Sequence, residues 1–295
     1  MTKPLTGRVA VVAGATRGAG RGIACALGEA GATVYCTGRS IRGAPATPGR
    51  PETIDETAAM VAERGGVGIA VRVDHLDEEA VIALFEQVQA EQGRLDVLVN
   101  DVWGGDALTD WGTPFWQLDV QDGLQLLRQA VFSHVLTSRY GVPMMVAQGQ
   151  GLVIEITDGD ASTNRHYRGH LFYDLAKISA MRLAFGMAEE LKPHGVAALA
   201  LTPGFLRSEA MLDHFGVTEA TWRDAVEKDP HFIASETPLY VGRAVAALAA
   251  DPDVLEQTGQ ATSSWACARR YGFTDADGRR PDWGRYLEEH FPHLA

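Results

Sequence analysis

The chain has 295 residues, and Asp and Glu outnumber Lys and Arg by 38 to 26, a formal charge of −12 at neutral pH. That balance repels phosphate backbones and anionic lipid and supplies no basic stripe, so nucleic acid and membrane surfaces are excluded as expected partners. Three cysteines, Cys25, Cys36 and Cys267, stand in no metal-ligand spacing and read as reduced thiols of a cytoplasmic protein without a metal site.

From Met1 the chain enters the apolar run Val9–Ala13 with neither a charged leader region nor a cleavage-site pattern, and no apolar stretch reaches the length of about 20 residues needed to span a bilayer. A soluble, cytoplasmic protein is expected. Apolar or β-branched runs then recur at Thr33–Thr37, Val67–Val73, Val97–Val99, Leu152–Ile156 and Val196–Leu201, with a weaker one near Gln260–Ser264. Helix-length patterns at Arg21–Glu29, Glu78–Gln92, Leu118–Val146 and Leu175–Leu191 separate them. Strict β/α alternation needs right-handed crossovers and a parallel sheet covered on both faces. The fold class is therefore α/β: a single-domain Rossmann fold over residues 1–264, doubly wound, with a parallel sheet of about seven strands.

Two stretches interrupt the rhythm. Arg42–Pro51 packs prolines and glycines into a surface loop where the adenine end of a nucleotide would lie. Phe205–Pro238 is an insertion in which Met211, Phe215, Trp222 and Phe232 are spaced among charges; it reads either as a mobile lid over a substrate or as helices packed permanently on the body. Beyond Ser264 an extension, residues 265–295, carries Tyr271, Phe273, Trp283, Tyr286 and Phe291, enough aromatic surface to dock on the body or on a neighbouring subunit.

The turn Gly14-Ala15-Thr16-Arg17-Gly18-Ala19-Gly20 follows the first strand and opens the first helix. Glycines there permit a tight turn, let backbone N–H groups approach a pyrophosphate and aim a helix N-terminus at the anion. At the end of the second strand, where an NAD enzyme places a carboxylate on the ribose hydroxyls, the residues are Gly38, Arg39 and Ser40. Arg39 and Arg17 could both reach a 2′-phosphate, so NADP(H) is expected in preference to NAD(H). Far downstream, Tyr173 and Lys177 stand one helical turn apart, an ammonium placed to favour the ionised form of a phenol that is otherwise a weak catalyst at neutral pH.

Taken together, the glycine turn, Asp74, Asn100, Tyr173-x-x-x-Lys177 and Pro203-Gly204 resemble the short-chain dehydrogenase/reductase family in order and approximate spacing, from about Thr6 to Ser264. The stretches Gly93–Asn100, Gly149–Leu152 and Ala268–Gly272 look like its member 1-like subgroup. The resemblance implies that Tyr173 exchanges a proton with a carbonyl or alcohol oxygen, and that Lys177 binds the nicotinamide ribose and lowers the phenol's pKa. It also implies that Asp74 and the backbone of His75 border the adenine, that Asn100 supports the nucleotide and ties neighbouring strands, and that Pro203-Gly204 lines the nicotinamide. Homodimers or homotetramers built on the long helices are implied as well.

Two family elements are missing. The serine that usually ends the fifth strand is replaced by Asp158, with Thr157 or Ser162 as alternative hydroxyls, and the asparagine of the fourth long helix is absent, since the only asparagines are Asn100 and Asn164. An ionised Asp158 would raise the phenol's pKa and oppose reduction, whereas a protonated one could donate to the substrate; it is expected to act as an orienting group, or else to cap a turn before Gly159. Trp103, Gly104, Gly105 and Trp111 with Phe205 and Met211 form an apolar rim suited to an apolar or aromatic carbonyl compound. The expected function is an NADP(H)-dependent oxidoreductase acting on such a carbonyl/alcohol pair. The alternative is a nucleotide-binding regulatory or scaffold protein with weakened catalysis.

Overall fold

Unbroken apolar runs belong in strands covered on both faces, and Val9–Ala13 (β1), Val97–Asn100 (β4) and Val196–Thr202 (β6) are buried at every position. The computed structural model describes residues 3–159 and 166–291. Within them Thr33–Gly38 (β2), Val67–Arg72 (β3), Gly151–Ile156 (β5) and Ala261–Ser263 (β7) complete one sheet of seven parallel strands in the order β3-β2-β1-β4-β5-β6-β7.

The helices between them are α1 (Gly18–Glu29), α2 (Ile54–Glu63), α3 (Glu78–Gln92), α4 (Val120–Leu127), α5 (Ser133–Gln148), α6 (Leu171–Leu191), α7 (Glu209–Phe215), α8 (Pro238–Ala250), α9 (Ser264–Tyr271) and α10 (Trp283–His290). Successive strand residues point to opposite faces, so Val12, Val99 and Ile154 join Ile23, Leu27, Val241 and Val245 in one core, while Val11, Leu98 and Val153 join Val81, Leu84, Phe85 and Leu191 in the other. The doubly wound sheet expected from the alternation is thus the architecture. No helix among the described residues is long and apolar enough to cross a membrane.

Helix α1 meets α8 with backbone against backbone. A Cβ on Gly22 would lie 2.0 Å from the Pro238 carbonyl oxygen, and one on Gly242 would lie 2.4 Å from the Gly22 carbonyl. Gly22→Ala must therefore push apart the two helices that flank the glycine turn, and we expect a loss of about 1–3 kcal/mol of stability in denaturant unfolding.

Local detail departs from the sequence reading in three places. Helix α2 follows the loop that ends at Pro51; Thr53 caps it by accepting from the Glu56 amide, a Thr-x-x-Glu start signal that the short helix made easy to pass over. The single helix expected over Leu118–Val146 is instead α4, a π turn at Arg128–Phe132, and α5, with Asp119 capping the start. The insertion after β6 has a small core of its own, Phe215, Trp222, Ala225 and Phe232. Arg207 is fully buried beside it, its guanidinium 4.3 Å over the Trp222 ring and donating to the Ser235 carbonyl at 2.8 Å and to Glu219 at 2.9 Å.

Candidate active site

Strand order reverses between β1 and β4, so the chain leaves their carboxyl ends in opposite directions and opens a crevice there. A cleft of about 1010 Å³ occupies it. Gly14 turns the chain with φ +92°, and a Cβ at that position would stand 2.4 Å from the Asp101 carbonyl oxygen, so the loop closes on β4 only with glycine. Gly14, Thr16, Arg17, Gly18 and Ala19 line the cleft, whereas Gly20 stands behind them with its amide held by the Asp101 carboxylate. The Gly18 amide, at the N-terminus of α1, donates to Glu209 Oε2 at 2.8 Å. An anion already sits where the helix end favours one.

At the far end of this cleft Arg39 is half-exposed, 3.9 Å from Asp74, and Ser40 Oγ accepts from the Ala46 amide at 3.0 Å. Arg17 donates to Thr47 Oγ1 at 3.0 Å, but its Nη1 is buried without a hydrogen-bond partner, 3.8 Å from Glu52. Glu52 is a carboxylate the sequence reading did not weigh, and Arg50 holds it. His75 lines the cleft, its ring fixed between Thr37 and Thr137 at 2.8 Å each; burial pushes its pKa down to about 3, which keeps it neutral. Asn100 does not line the cleft. Its amide donates to Ser138 at 2.9 Å and Glu155 at 2.7 Å beneath the floor.

Helix α6 delivers the tyrosine and lysine. Ala176, Ala180, Ala184 and Ala188 form a buried small-residue stripe that lets it lie close to the sheet, and His170 caps it by accepting from the Tyr173 amide at 3.2 Å. Thr157 pins the helix to the end of β5, its hydroxyl donating to the Lys177 carbonyl at 2.6 Å. That hydroxyl is thereby committed to backbone, and Ser162 lies outside the described residues. Asp158 follows, and the Tyr173 hydroxyl donates to its Oδ2 at 2.8 Å.

Arg168 closes the group, donating to the Asp158 carbonyl at 2.6 Å and to Asp174 at 2.9 Å while its Nε stands 3.8 Å from Asp158 Oδ2. The Tyr173 ring is set between Trp103 at 5.3 Å and Trp111 at 5.1 Å. Burial, and then the charge and hydrogen bond of Asp158, hold the phenol's pKa well above its ordinary value; the cation that opposes this rise is Arg168. The Lys177 ammonium lies 3.9 Å over the Trp103 ring and 5.3 Å from that of Tyr173. Burial lowers its pKa, with Asp158 and Asp101 opposing. Pro203, Gly204, Phe205 and Met211 face the same cleft from the β6 side.

The short chain dehydrogenase family model matches residues 8–215. The chain belongs to this family. Dehydrogenase/reductase SDR family member 1 of Mus musculus is 38% identical over 287 residues, 95% of this chain and 86% of the relative, and that of Homo sapiens is 37% identical over 284 residues with the same coverage. The chain thus stands in the member 1 subgroup of the short-chain dehydrogenases. Among solved structures, a Beutenbergia cavernae protein described as an NAD(P)-dependent gluconate 5-dehydrogenase, with NADP bound at low occupancy, is 27% identical with a TM-score of 0.69, covering 90% of this chain and 97% of its own. A short chain dehydrogenase of Mycobacterium thermoresistibile, 22% identical with a TM-score of 0.77 and covering 95% and 92%, shares the fold.

In this short-chain dehydrogenase, several residues at the site escaped the sequence reading. Asp101 directly follows Asn100, and burial pushes its pKa up to about 7 against the pull of Lys177 and His134. His134 on α5 pairs with the fully buried Glu155 at 2.6 Å, with its other nitrogen 3.1 Å from the Val102 carbonyl. Burial opposes charge on this imidazole, yet Glu155 carries its pKa above the ordinary value. Glu155 in the otherwise apolar β5 was the visible signal, since a carboxylate in a central strand needs a partner. Glu236 is a similar case: burial raises its pKa to about 8, and it accepts from Ser264 at 2.6 Å and from the Gly204 amide at 3.0 Å, fixing the backbone at the cleft.

Proposed function

We propose that this short-chain dehydrogenase is an NADP(H)-dependent reductase of an apolar or aromatic carbonyl compound. The observation that carries the reading is the Tyr173 hydroxyl, protonated and hydrogen-bonded to Asp158 in a tryptophan-walled cleft shared with Lys177. NADP(H) would supply the hydride. The fit to that group rests on two features: the Arg17 Nη1, buried without a hydrogen-bond partner in the cleft that Arg39 and Ser40 also line, and the Gly18 amide at the start of α1, which already donates to a carboxylate, that of Glu209. Gly14 to Ala19 would hold the pyrophosphate, Arg17, Arg39 and Ser40 the 2′-phosphate, Asp74 and His75 the adenine, and Pro203-Gly204 with Lys177 the nicotinamide half, with Asn100 supporting from below.

Tyr173 then acts as the acid. Its hydroxyl turns from Asp158 to the carbonyl oxygen and gives up its proton as that oxygen gains charge. Asp158, in the place of the family serine, accepts from the product hydroxyl, so it orients the alcohol that leaves. Trp103, Phe205 and Met211 exclude water around the reacting carbon. The decisive assay is NADPH oxidation with a panel of aryl and cyclic ketones and aldehydes; activity with none of them would count against the reading.

Cofactor choice has its own test. Charge-assisted hydrogen bonds to a phosphate contribute about 1.5–3 kcal/mol each. Arg17→Ala and Arg39→Ala should each weaken NADPH binding about tenfold or more in a fluorescence titration while leaving NADH binding within about twofold; an equal loss for both cofactors would remove the arginines from that role. A cytoplasmic homodimer or homotetramer completes the reading. Phe132, Val135, Leu175, Ile178 and Phe185 are exposed along α5, α6 and the π turn, and pairing between copies would cover them.

A further inference from the structure

Trp283, Tyr286, Leu287, His290 and Phe291 recur at helical spacing along and just beyond α10, with Arg285, Glu288 and Glu289 on the other face. An apolar stripe of this kind is ordinarily buried, yet no residue of α10 is. The stripe is nevertheless turned inward. Trp283 meets Phe205 edge-on at 5.6 Å, the Tyr286 hydroxyl is 3.1 Å from His231 Nδ1, and Phe291 lies 4.5 Å from the His231 ring. Trp283, Leu287 and Phe291 line the same cleft as Tyr173 and Asp158.

The approach to α10 is anchored. Buried Asp275 accepts from the Thr237 amide at 2.9 Å, the Tyr240 hydroxyl donates to the Pro281 carbonyl at 3.1 Å, and Asp282 caps the helix by accepting from the Arg285 amide at 3.0 Å. Trp283 packs so closely on the backbone that a Cβ on Gly204 would be 2.8 Å from its own. Helix α10 is therefore held in place by the strap before it, while its apolar face is only half-covered by protein. That face borders the cleft.

We propose that α10 is the specificity-determining wall of the substrate pocket, with Trp283, Leu287 and Phe291 gripping the apolar body of the compound whose carbonyl meets Tyr173. The substrate class is a ketone or aldehyde bearing a ring-sized apolar group rather than a short or polar one. This rests on the reductase reading above. Apolar contact with the body of the compound leaves the proton transfer to Tyr173, so it is read as discrimination between substrates.

The test compares NADPH-dependent kcat/KM for 4-phenylcyclohexanone and cyclohexanone in the full chain and in Leu287→Ala, Phe291→Ala and Arg285→Ala, the last on the outward face. The preference for the phenyl compound should fall about tenfold in the first two variants and hold in the third. An unchanged preference, or an equal loss for both ketones, overturns the proposal. Calorimetric titration of 4-phenylcyclohexanone into the NADP-loaded enzyme needs no turnover and separates this proposal from the reductase reading. Binding weakened about tenfold by Leu287→Ala supports the wall even if neither ketone is reduced, whereas unaltered binding, or none to the unmodified chain, overturns it.

Discussion

Replacing Tyr173 by phenylalanine should lower kcat/KM for carbonyl reduction by about 10²–10⁴-fold, the range that a positioned general acid contributes, while NADPH affinity stays within about twofold. The two halves of this expectation have different causes. The hydroxyl makes its hydrogen bond to Asp158 and so holds no part of the proposed cofactor cradle, which is built from the glycine turn, Arg17 and Arg39. The ring remains in phenylalanine, so the contacts with Trp103 and Trp111 that keep the cleft in shape persist. What is lost is the proton. Steady-state kinetics with fluorescence titration of NADPH would separate these effects; surviving turnover in the variant would remove Tyr173 from the acid's role, whereas NADPH binding without any Tyr173-dependent turnover would favour a regulatory or scaffold protein on this fold.

The parts of this site that were legible in the sequence are those fixed by local spacing. A glycine turn directly after a strand, and a tyrosine and lysine one helical turn apart, have only one arrangement once β and α alternate. Asp158 falls at the end of β5 because the apolar run before it sets the strand, and its carboxylate meets the phenol because Thr157 ties that strand end to α6. From the sequence an ionised Asp158 would raise the phenol's pKa while Lys177 lowers it; in the structure the pKa is held up by burial first and by Asp158 second. The opposing cation was expected to be Lys177. The structure gives that position to Arg168, which arrives on the connection before α6 and could not be located by periodicity.

Other features were hidden because they depend on partners distant in the chain. Asn100 was expected to support the nucleotide and tie neighbouring strands, and the partners through which its amide does the tying, Ser138 and Glu155, are set by α5 and β5 packing on either side. His134 gave no local sign of a role, being one polar residue in a helix; only its placement against Glu155 makes it part of the buried framework under the cleft. The extension is an intermediate case. Its aromatic spacing was readable as a surface that docks, while the fact that Trp283 lands on Phe205 at the cleft is set by the strap through Asp275 and Pro281.

Asp158→Ser should raise kcat/KM about tenfold in both directions at fixed pH, and should move the limb of alcohol oxidation that rises with pH, as the phenol ionises, to lower pH. In the wild-type chain the phenol is protonated across the neutral range because burial and Asp158 both hold its pKa up. Removing the carboxylate removes the second cause, so the pKa falls, the phenol becomes a stronger acid for reduction, and a larger fraction is phenolate for oxidation. One unit of pKa corresponds to a factor of ten in that fraction. Both directions must rise together, because the ratio of their kcat/KM values at a given pH is the equilibrium constant of the reaction, which no substitution alters. The serine also supplies a hydroxyl donor where negative charge develops, in place of a carboxylate that repels it. Asp158→Asn, with a neutral amide of the same shape, should act in the same direction. Rate–pH profiles for both reactions, with the phenolate followed by its ultraviolet absorbance against a Tyr173→Phe blank, decide the matter. A matched loss of turnover in the Ser and Asn variants would mean that the carboxylic group itself serves the reaction, and that this tyrosine works because of Asp158 and not against it.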